Sequence, residues 1–149
     1  MTDTREDILA RLQAIAADVE DVELSVRNMV ELGEAKMPAV AILEGDEEPS
    51  SSVNPARHRS ATSSIPMVMT PELCILVSAA ADKIGTDLNA FRAALIKAVL
   101  TDATLQTIIG TNGAIAYRGM ISDLGLGRAM LGRMALRFSI TYFVHPTKL

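Results

Sequence analysis

The closing run from Met134 to Val144 alternates without a break. Met134, Leu136, Phe138, Ile140, Tyr142 and Val144 share one parity, while Arg133, Ala135, Arg137, Ser139, Thr141 and Phe143 share the other. Successive side chains of a strand point to opposite faces, so this pattern describes a strand with a core face and a mostly polar face. Such a strand needs a sheet covered on one side. With 149 residues the chain has the length of one domain, and a single unit over 1–149 is expected.

The rest of the chain supplies what would cover that sheet. Ile8, Leu9, Leu12, Ile15, Ala16 and Val19 recur at spacings of three and four and predict an amphipathic helix, with Thr4 and Asp7 as a capping box at its start. Val22 to Arg27 alternates and predicts a strand, and a second strand is expected from Ala39 to Glu44. From Ile65 to Val77 the chain reads as extended, and Pro66 and Pro71 place part of it at a sheet edge. A second helix opens at Gly85 and Thr86 and buries Leu88, Phe91, Leu95, Ala98 and Val99; a short helical turn follows from Asp102 to Ile109. Ala114 to Ile121 is a further strand, followed by a loop through Gly125 and Gly127. Between Gly45 and Ser64, three acids, six serines, Pro49 and Pro55 leave almost nothing to bury, so this stretch is expected to be a long exposed loop. The fold class predicted is α+β: an antiparallel or mixed sheet, two main helices on its apolar face and one exposed loop at 45–64. A doubly wound parallel sheet would require strands apolar on both faces and a regular strand-helix alternation.

Charge divides along the chain. Residues 1–50 hold 13 acidic and 4 basic side chains, whereas residues 51–149 hold 5 acidic and 10 basic. If the fold keeps the two sets apart, copies attract one another head to side. The net charge of −4 and only five aromatic residues argue against phosphate neutralisation or base stacking as the main business of the chain.

Catalytic patterns do not assemble. Cys74 is alone, so no internal disulfide or multi-thiolate site is available, and it is expected to be a small core side chain in a reducing compartment. The opening MTDTREDILARL lacks the basic start and apolar stretch of a signal peptide, and no run reaches the length of a bilayer span. His58 and His145 have no second ligand at metal spacing. Gly125-Leu126-Gly127-Arg128 misses the third glycine and the helix of a dinucleotide fingerprint. Glu44, Asp46, Glu47 and Glu48 lack calcium-loop spacing and read as a solvated acidic turn. No enzyme activity, cofactor or metal is therefore expected. Arg118, Arg133 and Arg137 differ from these: they lie on the polar face of neighbouring strands and form a basic stripe able to meet a carboxylate-rich surface through bidentate contacts, such as the acidic half of another copy.

Three stretches carry a likeness: Arg27-Asn28 after the first strand, Met37-Pro38-Ala39-Val40-Ala41-Ile42 with Glu44-Gly45-Asp46-Glu47 beyond it, and Gly127-Arg128 through Met134 to Tyr142. Asp102 to Tyr117, with Leu105, Gly110, Asn112-Gly113 and Ile115, has the same character. Together these resemble the tail terminator proteins of long-tailed bacteriophages, of the minor tail protein U type. The resemblance implies a structural virion subunit that closes into a homo-hexameric ring at the head-proximal end of the tail. It would cap the tail tube, stop polymerisation and join the tube to a neck or head-closure protein. DNA would pass through the ring without sequence-specific binding, and the subunit would be made in the host cytoplasm with no membrane stage. The alternatives are a head-closure or neck connector and, from another class, a small enzyme. The subunit or tube interface expected is Arg118, Arg133 and Arg137 against Glu44, Asp46, Glu47 and Glu48.

Overall fold

The structure, a computed structural model, describes residues 3–28, 36–50, 64–124 and 130–149. Its elements run α1 (Thr4–Ala17), β1 (Leu24–Arg27), β2 (Ala39–Leu43), β3 (Glu47–Pro49), β4 (Ile65–Met69), β5 (Glu72–Ala79), α2 (Ile84–Leu100), α3 (Ala103–Ile109), β6 (Ala114–Leu124) and β7 (Met130–Val144). The strands form one mixed sheet in the order β1-β2-β5-β7-β4-β3, with β6 on the other side of β7. Among the described residues only β1 and β2 pair in parallel. The fold class is α+β.

Two strand pairs are single ribbons interrupted once. β4 and β5 both pair with β7, and one register runs from Ile65 opposite Val144 to Ala79 opposite Met130. The break falls at Pro71, whose carbonyl accepts from the Phe138 N–H at 3.1 Å but which has no N–H to return. On the other side, β2 pairs with β5 and β3 with β4, and the register slips by one residue between them, at the bend through Gly45. β7 therefore lies along one continuous partner, as the parity of Met67, Met69, Leu73, Ile75 and Val77 anticipates.

Two expectations differ from the structure. The proline-bearing ribbon is interior, flanked by β7 and by β2 and β3, and is not an edge. Pro66 is tolerated because its carbonyl faces the end of β3, where it accepts from the Ser50 N–H at 2.9 Å, so its missing N–H points to where that ladder ends. Residues 47–49, expected in the exposed loop, form the edge strand β3. Of that loop, residues 51–63 lie outside the described residues, as do His58, Gly125, Gly127 and Arg128.

The alternation in β7 sorts the core. Met134, Leu136, Phe138, Ile140 and Tyr142 are buried in one cluster with Val40, Ile42, Leu73, Ile75 and Val77, and with Ile8, Leu12, Leu88, Leu95 and Leu105 from the three helices. At about 1.5–3 kcal/mol for each large side chain taken out of water, this cluster is the main source of stability. The alternate positions of β2 and β5 form a second, smaller cluster of Ala39, Ala41, Cys74 and Leu76 with Leu24, Val26 and Leu43 beside it. Cys74 is buried there, and burial pushes its thiol up.

Caps set the helix ends. Asp3, not the Thr4 and Asp7 pair, caps α1: its carboxylate accepts from the Arg5 N–H at 3.1 Å. A carboxylate one residue upstream takes that role because it faces the first orphan donors and suits the positive end of the helix dipole. Asp102 caps α3 in the same way, accepting from the Leu105 N–H at 2.7 Å.

Tyr142 carries a flaw that yields a prediction. The side chain is fully buried and its hydroxyl has no hydrogen-bond partner among the described residues. A buried group left without its bond costs ~1–3 kcal/mol, so Tyr142→Phe should raise the stability by about 1 kcal/mol. Thermal melting should show an increase of roughly 2–4 °C for a chain of this size. A decrease would mean that the hydroxyl is satisfied.

Candidate functional site

The basic residues singled out on the polar face of β6 and β7 do not behave alike. β6 and β7 pair directly, and a bulge opposite Arg137 inserts one extra residue between Tyr117 and Met120. Gly119 takes a φ of +102° there, which glycine adopts without a Cβ penalty and which tightens the local twist. The bulge sets Arg118 beside Arg137, and the two line a shallow depression of about 510 Å³ with Thr70, Glu72 and Phe138. Glu72 lies opposite Arg137 across the ladder to β5. Both arginines are exposed, and neither makes an ion pair among the described residues.

Arg133 turns back onto its own sheet instead. Its Nε donates to Cys74 Sγ at 3.1 Å, and its ladder neighbour on β6 is Asp123. The guanidinium thus works against burial, favouring the Cys74 thiolate while desolvation disfavours it. The expected stripe resolves into a pair, Arg118 and Arg137, with Arg133 engaged within the chain.

The acids divide too. Glu44 is held within the chain by Arg27 Nη2 at 3.3 Å and by the Asn28 side-chain amide. Arg27 also grips Glu6 of α1 through two bonds, at 2.5 and 3.2 Å, and this hydrogen bonding lowers the Glu6 pKa and raises that of Arg27. Arg5 completes the clamp by donating from Nη2 to the Gly45 carbonyl at 3.1 Å. Asp46, Glu47 and Glu48 remain exposed on the bend and on β3, without an ion pair among the described residues. β3 and β6 are the two ends of the row β3-β4-β7-β6, so the strand bearing Glu47 and Glu48 lies three steps, about 15 Å at ~4.8 Å per step, from the strand bearing Arg118.

Sequence reasoning missed the α1 clamp and the pair of Arg11 with Asp102. The latter is bidentate, Nε to Oδ2 at 2.9 Å and Nη2 to Oδ1 at 2.7 Å, and ties α1 to the start of α3 at one end of a groove of about 450 Å³ between α1 and α2. The residues are 91 positions apart and share no local pattern. Hydrogen bonding to Arg11 first, and to the Leu105 N–H second, holds the Asp102 carboxyl below the usual carboxylate range.

That depression links stability to pH. Because the folded-state pKa lies below the unfolded value, the stabilisation is present above the unfolded pKa of ~3.9 and is lost as pH falls through the lower folded value. Asp102→Asn should keep much of the cap, lose the ion pair, and flatten the acid limb of the stability curve below about pH 4. Asp102→Ala removes cap and pair together and should cost roughly 2 kcal/mol at neutral pH. Urea titrations at pH 3 and 7 check both; an unchanged acid limb in the asparagine variant would contradict the assignment.

Among the described residues no group of three or more His, Cys, Asp or Glu is placed to hold a metal ion, and no helix is long and apolar enough to cross a membrane. No protein-family model and no curated protein matches the chain.

Proposed function

We propose that the chain is a self-assembling structural subunit, a ring-forming tail terminator of a long-tailed bacteriophage that caps the tail tube and joins it to the head. The observation that carries the reading is the placement of opposite charge at opposite edges of one sheet: Glu47 and Glu48 on β3, Arg118 on β6 with Arg137 behind it. A surface whose two complementary patches lie at opposite ends makes a heterologous contact, and a heterologous contact closes into a ring when the rotation per copy divides a full turn. The resemblance of the Met37 to Glu47 and Gly127 to Tyr142 stretches to tail terminators supplies the identity of the ring and of its neighbours, the tube protein on one side and a neck protein on the other. DNA would cross the opening without being read.

The test is tube growth. The purified chain added to polymerising tail tube protein should halt elongation at one ring per tube end and appear as a cap in electron micrographs. Tubes that lengthen undisturbed would overturn the reading, and binding to capsid portals instead of tube ends would assign the chain to the neck.

A further inference from the structure

The three outer strands of the sheet are finished differently. β1 lies along α1, where the Ser25 carbonyl accepts from Gln13 Nε2 at 3.2 Å and the Ser25 hydroxyl donates to the Gln13 carbonyl at 2.8 Å. β3 is short, and its hydrogen bonds fix which residues look outward. Thr70 N–H bonds to the Asp46 carbonyl and Ser50 N–H to the Pro66 carbonyl, so positions 46, 48 and 50 face β4 and Glu47 and Pro49 face away. Pro49 has no N–H, leaving β3 with one outward donor, on Glu47, and two outward carbonyls. β6 is 11 residues long and pairs only with β7 among the described residues. Phe138 N–H points to Pro71, so the odd positions of β7 face β6, and Ile115, Tyr117, Met120 and Ser122 turn their backbone groups outward. An edge of that length with unpaired backbone groups is a template for another strand.

We propose that copies of the chain join by continuing the sheet, the outer edge of β6 in one copy receiving β3 of the next; this rests on the ring reading above and names its contact. Three features fit a second copy as the occupant. The strands β3, β4, β7 and β6 alternate in direction, so β3 of a copy rotated about an axis along the strands arrives antiparallel to β6. The faces match. Glu48 is opposite Val68, which is opposite Thr141, so its side chain belongs to the same side of the sheet as Arg137 and Arg118. Glu47 is opposite Met69 and belongs to the helix side, where Arg92 lies over the Tyr117 ring at 5.7 Å from its centroid. A continued sheet therefore sets Glu48 toward Arg118 and Arg137, and Glu47 toward Arg92. The single outward N–H of β3 also explains why β3 is a poor partner for a second β3: two carbonyl-rich, doubly acidic edges repel.

Mass measurement in solution on the full chain tests this. The unaltered chain should be a closed oligomer. Glu48→Arg alone and Arg118→Glu alone should each weaken association by about tenfold or more, since like charges then face each other. Combining them should restore assembly. Ser122→Pro removes an outward N–H on an exposed residue and leaves the charges alone; it should keep the melting transition of the monomer and lose the oligomer. If the unaltered chain forms a ring but the single reversals leave it intact, or the double variant is no better than the singles, the sheet contact is overturned while the ring reading stands. An unaltered chain that stays monomeric at all concentrations overturns both.

Discussion

Replacing Gly45 with alanine should destabilise the protein by at least about 3 kcal/mol, and the primary cause is backbone geometry. Gly45 sits at the bend between β2 and β3 with a φ of +69°, a region that costs an L-residue roughly 1–2 kcal/mol. A Cβ there would also land on the Thr70 carbonyl oxygen, with the carbonyl carbon 2.7 Å away. Backbone cannot rotate aside as a side chain can, so either the bend opens or the β3-β4 pairing slips. Both would disturb the Arg5 bond to the Gly45 carbonyl that ties the bend to α1. Gly110 provides the control: its φ is +85°, but nothing lies within 4 Å of the added Cβ. Its ψ of 172° puts it in the extended positive-φ region, so Gly110→Ala should cost the conformational part alone, about 1–3 kcal/mol. Urea unfolding of both variants separates strain from collision, and equal losses would contradict the account.

The second large effect belongs to Phe138. It is fully buried in the main cluster, and its ring meets Tyr117 at 5.6 Å between centroids with a tilt of 56°. Truncation to alanine removes the transfer energy of the ring, leaves a cavity and breaks the aromatic pair, for about 3–5 kcal/mol in total. For this length of chain that is a fall of roughly 10 °C or more in melting temperature. Phe143, five positions along β7 and on the opposite parity, is only partly buried. Phe143→Ala should cost about 1 kcal/mol or less. Similar losses at the two positions would mean that β7 lacks the two-sidedness its alternation implies.

That two-sidedness is legible in the amino-acid order because it is a local property. The period of two in Met134 to Val144 and the three-and-four spacing in α1 and α2 report which face each element buries, and the cluster membership follows those parities. β3 carries no such signal, for the converse reason. Glu47, Glu48 and Pro49 are all exposed, so the strand has no apolar face and exists only because Met67 to Met69 offer it backbone partners. Pro71 points the wrong way for a related reason: a missing N–H suggests an edge, while the interior ribbon simply omits one rung.

The candidate surface follows the same division. Arg118 and Arg137 fall together from strand order and parity. Nothing local indicates that Arg133 is diverted to Cys74, or that Glu44 is spent on Arg27 and Asn28, since those choices depend on side chains as far as 59 and 17 residues away. What the amino-acid order determined alone was the periodicity of β7, α1 and α2 and the lopsided charge, because both are written in the order of neighbouring residues. The tertiary structure decided which strand became an edge, which charges were neutralised at home and which were left facing outward, because pairing across the sheet is settled by the competition of every strand for the same backbone groups.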